Sequence, residues 1–195
     1  DIAGDSSLCI GTSIGVLMGD NDSVLTRHFF GLPLTMHSGD TTHYYYVTDV
    51  AMNSQYVFAA TNYGLYRAQR SQMQFSIVNP SLPPIFIEDV YCKDSLLIAF
   101  AGHLTYRSVD NGSSWVMSNL FSLGGCNGIL EADGSIFLGT SGEGILESTD
   151  AGTNWFRPVG LSQTTTFHGG DEIDGQPFLA LNAGLYFRDA GTWNY

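Results

Sequence analysis

The sequence predicts an all-β fold, a β-propeller of four-stranded blades, and three observations support this prediction. The segment 106–115 reads Tyr-Arg-Ser-Val-Asp-Asn-Gly-Ser-Ser-Trp, and related segments at 66–75 and 146–155 show that the pattern recurs every 40 residues. Runs of apolar, β-branched and aromatic residues alternate with turn residues about every 8 to 12 positions, as in all-β proteins. Each repeat holds four such runs, which matches the size of a propeller blade.

Five blades are expected within a single domain spanning residues 1–195, at about 1–33, 44–80, 85–120, 125–160 and 165–195. The third repeat is the clearest, with strands expected at 87–92, 96–101, 104–107 and 115–117. The second gives 47–51, 56–61, 64–67 and 75–78, and the fourth gives 127–131, 135–140, 144–148 and 155–158. The sequence leaves open whether the blades close a five-bladed ring or form part of a larger propeller.

The first and fifth repeats depart from this pattern. Residues 2–12 match 130–140, so the chain is expected to begin inside a first strand, and a longer loop at 33–43 follows the first blade. In the fifth repeat, strands at 177–181 and 184–188 are clear, and the last strand begins near 193. The expected first strand at 167–173 is interrupted by Gly169 and Gly170.

Charge and composition argue against several classes of function. The chain has 7 Lys and Arg against 19 Asp and Glu, a formal net charge of −12, which disfavours nucleic-acid backbones and anionic membrane surfaces. No apolar run reaches the roughly 20 residues of a membrane-spanning helix. We therefore expect neither nucleic-acid binding nor membrane insertion. The odd number of cysteines, Cys9, Cys92 and Cys126, predicts buried free thiols rather than a closed disulfide framework.

The repeated segment contains a turn motif that has a structural interpretation. In 108–115 and 148–155 a Ser is followed by Asp, Gly and Trp at fixed spacing, and 188–193 keeps the last three in a shortened form. The Asp carboxylate can accept backbone N–H bonds within the turn, the Gly takes a positive φ, and the Trp packs under the hairpin. The residues assigned this role are Ser108, Asp110, Gly112, Trp115, Ser148, Asp150, Gly152, Trp155, Asp189, Gly191 and Trp193.

This motif resembles the Asp-box, the Ser/Thr-x-Asp-x-Gly-x-Thr-Trp hairpin of the BNR-repeat β-propellers, and the chain looks most similar to their secreted bacterial surface members. The resemblance implies that the motif lies on the outer rim, away from the ligand face. It also implies a secreted, periplasmic or cell-surface location. Members of the family include sialidases, xyloglucan hydrolases, sorting-receptor ectodomains and a photosystem assembly factor. The resemblance therefore predicts the fold without choosing the function.

The residues that an enzyme of this family needs are not recognisable in the sequence. A sialidase needs three arginines around the substrate carboxylate, whereas Arg67, Arg107 and Arg188 run into rim hairpins, and we interpret them as solvated strand ends. A glycosidase needs two carboxylates about 5 to 10 Å apart, and no spacing pairs any two of them here. The histidines form no metal-ligand pair, and one carboxylate per turn is too few for calcium. We expect no catalytic residue, no metal and no cofactor.

Ligand contacts are expected on the loops that join strand two to strand three and strand four to the next strand one, which line one face of a propeller. The candidate binding residues are His43, Tyr44, Asn62, Tyr63, His103, Glu143, Phe167, His168 and Asp171. The predicted function is a non-enzymatic secreted or cell-surface module that binds a protein or glycan. The alternatives are a glycoside hydrolase, degenerate or incomplete in this chain, and an assembly or sorting factor that holds a polypeptide. Further blades from the same or another chain are left open as a partner.

Overall fold

The computed structural model describes residues 7–13, 15–20, 24–33, 35–36, 43–44, 46–78, 82, 85–102, 104–119, 125–141, 144–162 and 164–195. Within these ranges the chain forms β-strands and no helix. The strands are β1 (Ser7–Thr12), β2 (Gly15–Asp20), β3 (Thr26–His28), β4 (Thr35–Met36), β5 (His43–Tyr44), β6 (Val47–Met52), β7 (Tyr56–Thr61), β8 (Gly64–Gln69), β9 (Ser76–Ile77), β10 (Asp89–Lys93), β11 (Leu96–Ala101), β12 (Leu104–Ser108), β13 (Val116–Asn119), β14 (Cys126–Ala132), β15 (Ser135–Thr140), β16 (Ile145–Ser148), β17 (Phe167–Ile173), β18 (Gln176–Leu181), β19 (Gly184–Asp189) and β20 (Thr192–Asn194).

The strands form antiparallel sheets whose neighbours follow chain order, as expected for repeats built from hairpins. We number the blade sheets 1 to 5; they have the orders β1-β2-β3, β6-β7-β8-β9, β10-β11-β12-β13, β14-β15-β16 and β17-β18-β19-β20. In sheet 4 the predicted fourth strand is reduced to one bridge between Glu147 and Phe156. The first strand expected at 2–6 of the first repeat lies outside the described residues. The long loop at 33–43 contributes a small pair, in which β4 lies beside β5.

The chain divides into two compact units, a division that the sequence did not indicate. The first unit is Asp1–Ala101 with Tyr106–Val116, and the second is Gly102–Thr105 with Met117–Tyr195. Sheets 1 and 2 therefore belong to the first unit, and sheets 4 and 5 belong to the second. Each unit is described separately below.

The core of the first unit lies between sheets 1 and 2. Successive side chains of a strand point to opposite faces of the sheet. In β1, Cys9 and Gly11 face sheet 2, and a Cβ added to Gly11 would lie 2.8 Å from Val47 Cγ1. The core cluster comprises Val16, Leu32, Val57, Ala59, Ala68, Met73 and Phe75.

The core of the second unit repeats this arrangement between sheets 4 and 5. Gly139 lies directly under the ring of Phe167, and a Cβ added to Gly139 would lie 2.1 Å from that ring. Any larger residue at 139 would therefore displace the first strand of sheet 5. The core cluster comprises Ala132, Phe137, Ile145, Phe167, Leu179, Leu181 and Trp193.

A β-bulge opens the first strand of sheets 2, 4 and 5. The register shifts between Val47 and Asp49, between Cys126 and Gly128, and between Phe167 and Gly169. A bulge inserts one extra residue into one strand without ending the pairing. Gly169 therefore does not interrupt the fifth repeat; the strand continues unbroken from Phe167 to Ile173.

Candidate ligand face

In each unit we use the term loop face for the ends at which first strands begin and second strands end: β6 and β7 in the first unit, and β14, β15, β17 and β18 in the second. In the first unit this face contains the turn at Asn62 and Tyr63. The Thr61 hydroxyl donates to the Gly64 carbonyl at 2.8 Å and accepts the Tyr63 N–H at 3.1 Å, so one buried side chain holds both sides of the turn. Tyr63 is 48% exposed. The turn therefore presents an aromatic ring to solvent from a backbone that is already ordered.

Backbone and side-chain bonds also tie sheet 2 to the strand that follows it in the first unit. The bulge residue Thr48 donates its hydroxyl to the Ile87 carbonyl at 2.7 Å, and the Ile87 N–H donates to the Thr61 carbonyl at 3.0 Å. Asp49 Oδ2 accepts the Val90 N–H at 2.9 Å. Asp49 thus has a structural role between neighbouring blades.

The second unit carries a similar network on its loop face. The bulge residue Asn127 accepts from the Ser141 hydroxyl at 2.5 Å and donates to the Phe167 carbonyl at 3.3 Å. Asn182 donates its backbone N–H to the Thr166 carbonyl at 3.1 Å and accepts the Thr166 N–H on its side chain at 3.3 Å. The Asn127 bond to Phe167 holds the start of sheet 5 against sheet 4, and the Asn182 bonds fix the same segment to the end of β18.

Three candidate binding residues of the second unit are described by the structure. One is exposed on the loop face, and the other two lie elsewhere. His168 is the bulge residue of sheet 5, equivalent to Thr48 and Asn127, and it is exposed. Phe167 is buried in the core over Gly139, so it is not a contact aromatic. Asp171 is exposed but lies in the middle of β17 opposite Phe178, about 10 Å along the strand from His168 rather than in a loop.

The structure does not describe the side chains of the remaining candidates, His43, Tyr44, His103 and Glu143. His43 and Tyr44 pair through their backbones with Met36 and Thr35 in the small two-stranded sheet. His103 and Glu143 lie outside the described residues. Their assignment to the loop face stays a prediction.

At the opposite strand ends the turns at 108–115 and 148–155 have nearly the same hydrogen bonds. In the first, Asp110 accepts from the Ser108 hydroxyl at 2.7 Å and from the Ser114 N–H and hydroxyl at 2.8 and 2.6 Å. In the second, Asp150 accepts from the Ser148 hydroxyl at 2.9 Å and from the Asn154 N–H and amide at 2.8 and 2.7 Å. The Asn154 amide therefore replaces the hydroxyl that the sequence motif lacks there.

These bonds stabilise the charged form of both carboxylates. The Ser114 hydroxyl and then the Ser114 N–H lower the pKa of Asp110 to about 2. The Asn154 N–H and then the Asn154 side-chain amide lower the pKa of Asp150 below its ordinary value. The glycines that follow, Gly112 and Gly152, have φ of 83° and 80°. Each Asp is thus a structural acceptor that its own turn satisfies.

The third copy of the motif has a different backbone. Asp189 lies in β19 opposite Thr192, and the turn consists only of Ala190 and Gly191, both at positive φ. Two central residues at positive φ are typical of a tight hairpin turn. Trp193 nevertheless packs into the core of the second unit, as the motif predicts for its aromatic residue.

Two arginines that we interpreted as solvated strand ends instead make structural contacts. Arg188 donates to Glu147 Oε1 at 2.7 Å and to Asp133 Oδ2 at 2.9 Å, and its guanidinium lies over the rings of Phe137 and Trp193. Its side chain is only 12% exposed. Glu147 also accepts from a buried hydroxyl, that of Ser135, at 2.7 Å. The solvated interpretation is wrong because the neighbouring blade supplies a buried carboxylate.

In the first unit, Arg67 similarly donates to the Asn111 carbonyl and lies over the Tyr56 ring. Beside it, Asn53 is buried with all its polar atoms bonded. Its amide donates to the Asp94 carbonyl at 2.6 Å and to Asn111 Oδ1 at 2.7 Å, and its Oδ1 accepts the N–H of Gln55 and of Tyr56. The sequence offered no sign of this residue, because the partners of its amide, Asp94 and Asn111, lie 41 and 58 positions away.

The described residues hold no group of three or more His, Cys, Asp or Glu side chains placed to bind a metal ion. The three cysteines are half-buried and form no disulfide with one another, and burial raises the pKa of Cys9 and Cys92 to about 12. No described helix has the length and apolarity to cross a membrane. A polar cleft of about 670 Å³ in the first unit lies at the ends of β1 and β2 away from Tyr63. Arg70 lines it and already donates to Ser7 Oγ at 2.6 Å.

Comparison with known proteins rests on structure alone. No family model and no curated protein matches the chain. An ancestral GH74 enzyme matches 100% of the chain with a TM-score of 0.72 at 18% identity, and an extracellular domain from B. thetaiotaomicron matches 97% with 0.69 at 14%. YCF48 bound to D1 peptide matches 100% with 0.68 at 14%. This chain spans 30%, 26% and 64% of those chains respectively. The likeness confirms the β-propeller fold.

Proposed function

We propose that the chain is a non-enzymatic binding module whose loop face takes a protein or glycan ligand. The observation that carries this proposal is Tyr63, an exposed aromatic side chain on a turn that Thr61 already holds in place. Exposed tyrosine offers a large contact area with a polar end, and an ordered backbone reduces the entropy lost on binding. In the second unit, His168 occupies an exposed position on a strand start that Asn127 and Asn182 brace.

An enzymatic role has less support from the described residues. Two carboxylates, those of Glu147 and Asp133, both pair with the guanidinium of Arg188. Glu147 is buried and neutralised by this pair, so it cannot act as a glycosidase acid or nucleophile without losing a structural contact. A glycoside hydrolase remains the second candidate because GH74 enzymes, one of them a xyloglucanase from Xanthomonas campestris, have the same fold.

The rim turns support the resemblance to the Asp-box motif, because their hydrogen bonds and positive φ angles follow the motif's residue types. An extracellular domain among the structural neighbours supports a secreted or cell-surface location. The neighbour bound to D1 peptide supports a polypeptide as one ligand class, and the xyloglucanase supports a glycan as the other.

The test is a screen on a glycan array and a peptide array, followed by titration calorimetry of each ligand retained. Tyr63→Ala should weaken binding at least about tenfold, as expected for a buried aromatic contact. Phe156→Ala is the matched control, since Phe156 is 44% exposed but lies at the outer edge of sheet 4, where it bridges to Glu147 of β16. Trp155→Ala should lower the melting temperature and leave the affinity of the folded protein unchanged.

Three results would contradict the proposal. The arrays could retain nothing, Tyr63→Ala could bind as well as the parent chain, or Trp155→Ala and Tyr63→Ala could show each other's expected effects. Release of reducing ends from xyloglucan oligosaccharide would establish the hydrolase instead.

A further inference from the structure

The chain contains two Asn-Gly pairs whose surroundings differ. They are Asn111 with Gly112 in the first unit and Asn127 with Gly128 in the second. Asparagine before glycine is the dipeptide most prone to deamidation, because glycine has no side chain to keep its nitrogen away from the asparagine side chain. Asn127 is exposed and Gly128 is half-buried, whereas Asn111 is half-buried and Gly112 is buried.

Deamidation needs a free glycine N–H and a mobile asparagine side chain. The glycine nitrogen loses its proton and attacks the asparagine Cγ, and the Cγ–Nδ2 bond breaks to release ammonia. The five-membered succinimide ring then takes up one water molecule and opens to aspartate or isoaspartate. The net reaction converts an amide and water to a carboxylate and ammonium, so no other reactant is required. Hydrogen bonds that hold either group must break before the ring closes, and they therefore slow the reaction.

Both reacting groups of the first pair are held by buried partners. The Gly112 N–H donates to the Ser108 hydroxyl oxygen at 2.9 Å, and Ser108 is buried. The side chain of Asn111 accepts from the amide of Asn53 at 2.7 Å, and Asn53 is only 7% exposed. The Asn111 N–H also donates to the Ser95 carbonyl at 3.1 Å. Ring closure at this pair requires the turn to open first.

The second pair lies at the bulge that opens β14, where Asn127 is the extra residue left out of the ladder. Its side chain accepts from the Ser141 hydroxyl, which is itself exposed, and donates to the Phe167 carbonyl at 3.3 Å. Gly128 has a φ of 144°, and a Cβ added there would lie 3.0 Å from the Phe167 ring. The packing that joins sheets 4 and 5 thus favours the glycine that makes Asn127 reactive.

We propose that Asn127 is a site of spontaneous deamidation, and that the hydrogen bonds to Asn53 and Ser108 keep Asn111 from the same reaction. The reaction consumes only water, so it does not depend on any ligand of the loop face. A carboxylate at position 127 has no N–H to donate to the Phe167 carbonyl, and it sets a negative oxygen beside that carbonyl. Deamidation therefore removes a side-chain bond that holds sheet 5 against sheet 4.

Peptide mapping over a time course in mildly alkaline buffer tests the proposal. Chymotrypsin cleaves after Trp115 and so separates the two pairs, and mass spectrometry with enzymatic methylation of isoaspartate measures each product. In the folded parent chain, Asn127 should deamidate at least about tenfold faster than Asn111, the ratio expected when one more hydrogen bond must break. In urea the two residues should react at similar rates, since each is followed by glycine and neither is restrained.

A pair of serine variants tests the protection of the first pair. Ser108→Ala removes the acceptor of the Gly112 N–H and should raise the rate at Asn111 about tenfold. Ser148→Ala is the matched control, because Ser148 accepts the Gly152 N–H at 2.8 Å in the equivalent turn, where alanine precedes the glycine. This control should leave the rate at Asn111 unchanged.

Two further variants test the second restraint and the consequence of the reaction. Asn53→Ala removes the donor to the Asn111 side chain, and it replaces Ser108→Ala as the test should circular dichroism show that variant unfolded. Asn127→Asp reproduces one product of the reaction, so it should have a lower melting temperature than the parent chain.

Equal rates at Asn111 and Asn127 in the folded chain would overturn the proposal, and so would an Asn127 that stays intact when folded and reacts only in urea. A rate at Asn111 that neither Ser108→Ala nor Asn53→Ala increases would reject the protective role of these bonds. If Ser148→Ala raised that rate as much as Ser108→Ala, the rate would reflect global unfolding, which also contradicts the protective role.

Discussion

Sheets 4 and 5 of the second unit are two copies of one repeat in different surroundings. Both begin with a bulged strand and continue with a six-residue second strand, yet sheet 4 is covered on the face that sheet 5 leaves exposed. Their rim turns differ as well, since Asp150 organises the turn of sheet 4 and a two-residue hairpin turn closes β19 and β20. The comparison shows that burial depends on the neighbour a sheet has, and that similar segments need not form the same turn.

The largest expected effect comes from truncating the same aromatic position in the two sheets. Phe137→Ala removes a fully buried ring and should cost about 3 to 5 kcal/mol of unfolding free energy. Phe178→Ala removes a half-buried ring and should cost about 1 to 2 kcal/mol in dilute solution. Urea unfolding measures both values. Equal losses in dilute protein would contradict the difference in burial between the two sheets.

A smaller effect is expected at the ion pair that joins the two sheets. Arg188→Met leaves Glu147 charged and buried, so it should cost about 3 kcal/mol of unfolding free energy. Adding Glu147→Gln to that variant should recover part of the loss. Asp133→Asn is the control, because this partner is 62% exposed and should contribute less than about 1 kcal/mol. The buried-pair interpretation fails if Arg188→Met is no more destabilising than Asp133→Asn in urea unfolding.

The smallest expected effect concerns acid stability and the hydrogen bonds that Asp150 accepts. The folded-state pKa of Asp150 is lowered, so its contribution is present above its ordinary pKa and is lost as the pH falls toward the folded value. The same holds for Asp110 between pH 3.8 and about 2. Asp150→Asn should therefore flatten the decline of melting temperature below about pH 4 relative to the parent chain. Identical slopes for Asp150→Asn and the parent chain would show that the Asp150 bonds add nothing.

Repeat spacing predicted the fold because hairpin-built blades are local in sequence. The predicted bounds 56–61, 96–101 and 135–140 are those of β7, β11 and β15. The turn at 108–115 was also predictable, since Ser108, Asp110 and Ser114 bond one another within a few residues. The strand at 167–173 was predicted to be interrupted at Gly169 because a glycine within a strand pattern can indicate either a bulge or the end of a strand.

The candidate site was less predictable because exposure is a tertiary property. Tyr63 and Phe167 are both aromatic residues next to turns, yet one is exposed and the other is buried over Gly139. Asn53 and Arg188 depend on partners in the neighbouring repeat, and neither has a local motif that indicates them. Sequence alone thus predicted which turns would carry the candidate residues, but it did not identify which of their side chains are accessible.

The bulge at the start of a sheet has a consequence for how stability is distributed along the chain. Thr48 and Asn127 each donate a hydrogen bond to the first segment of the following repeat. Each of these two blades is therefore linked through its bulge residue to the blade that follows it. Arrays of this kind behave like a one-dimensional chain with nearest-neighbour coupling, in which each element is stabilised by the next one along. His168, the equivalent residue of sheet 5, is exposed, and the amide protons of β17 should therefore exchange with solvent faster than those of β14.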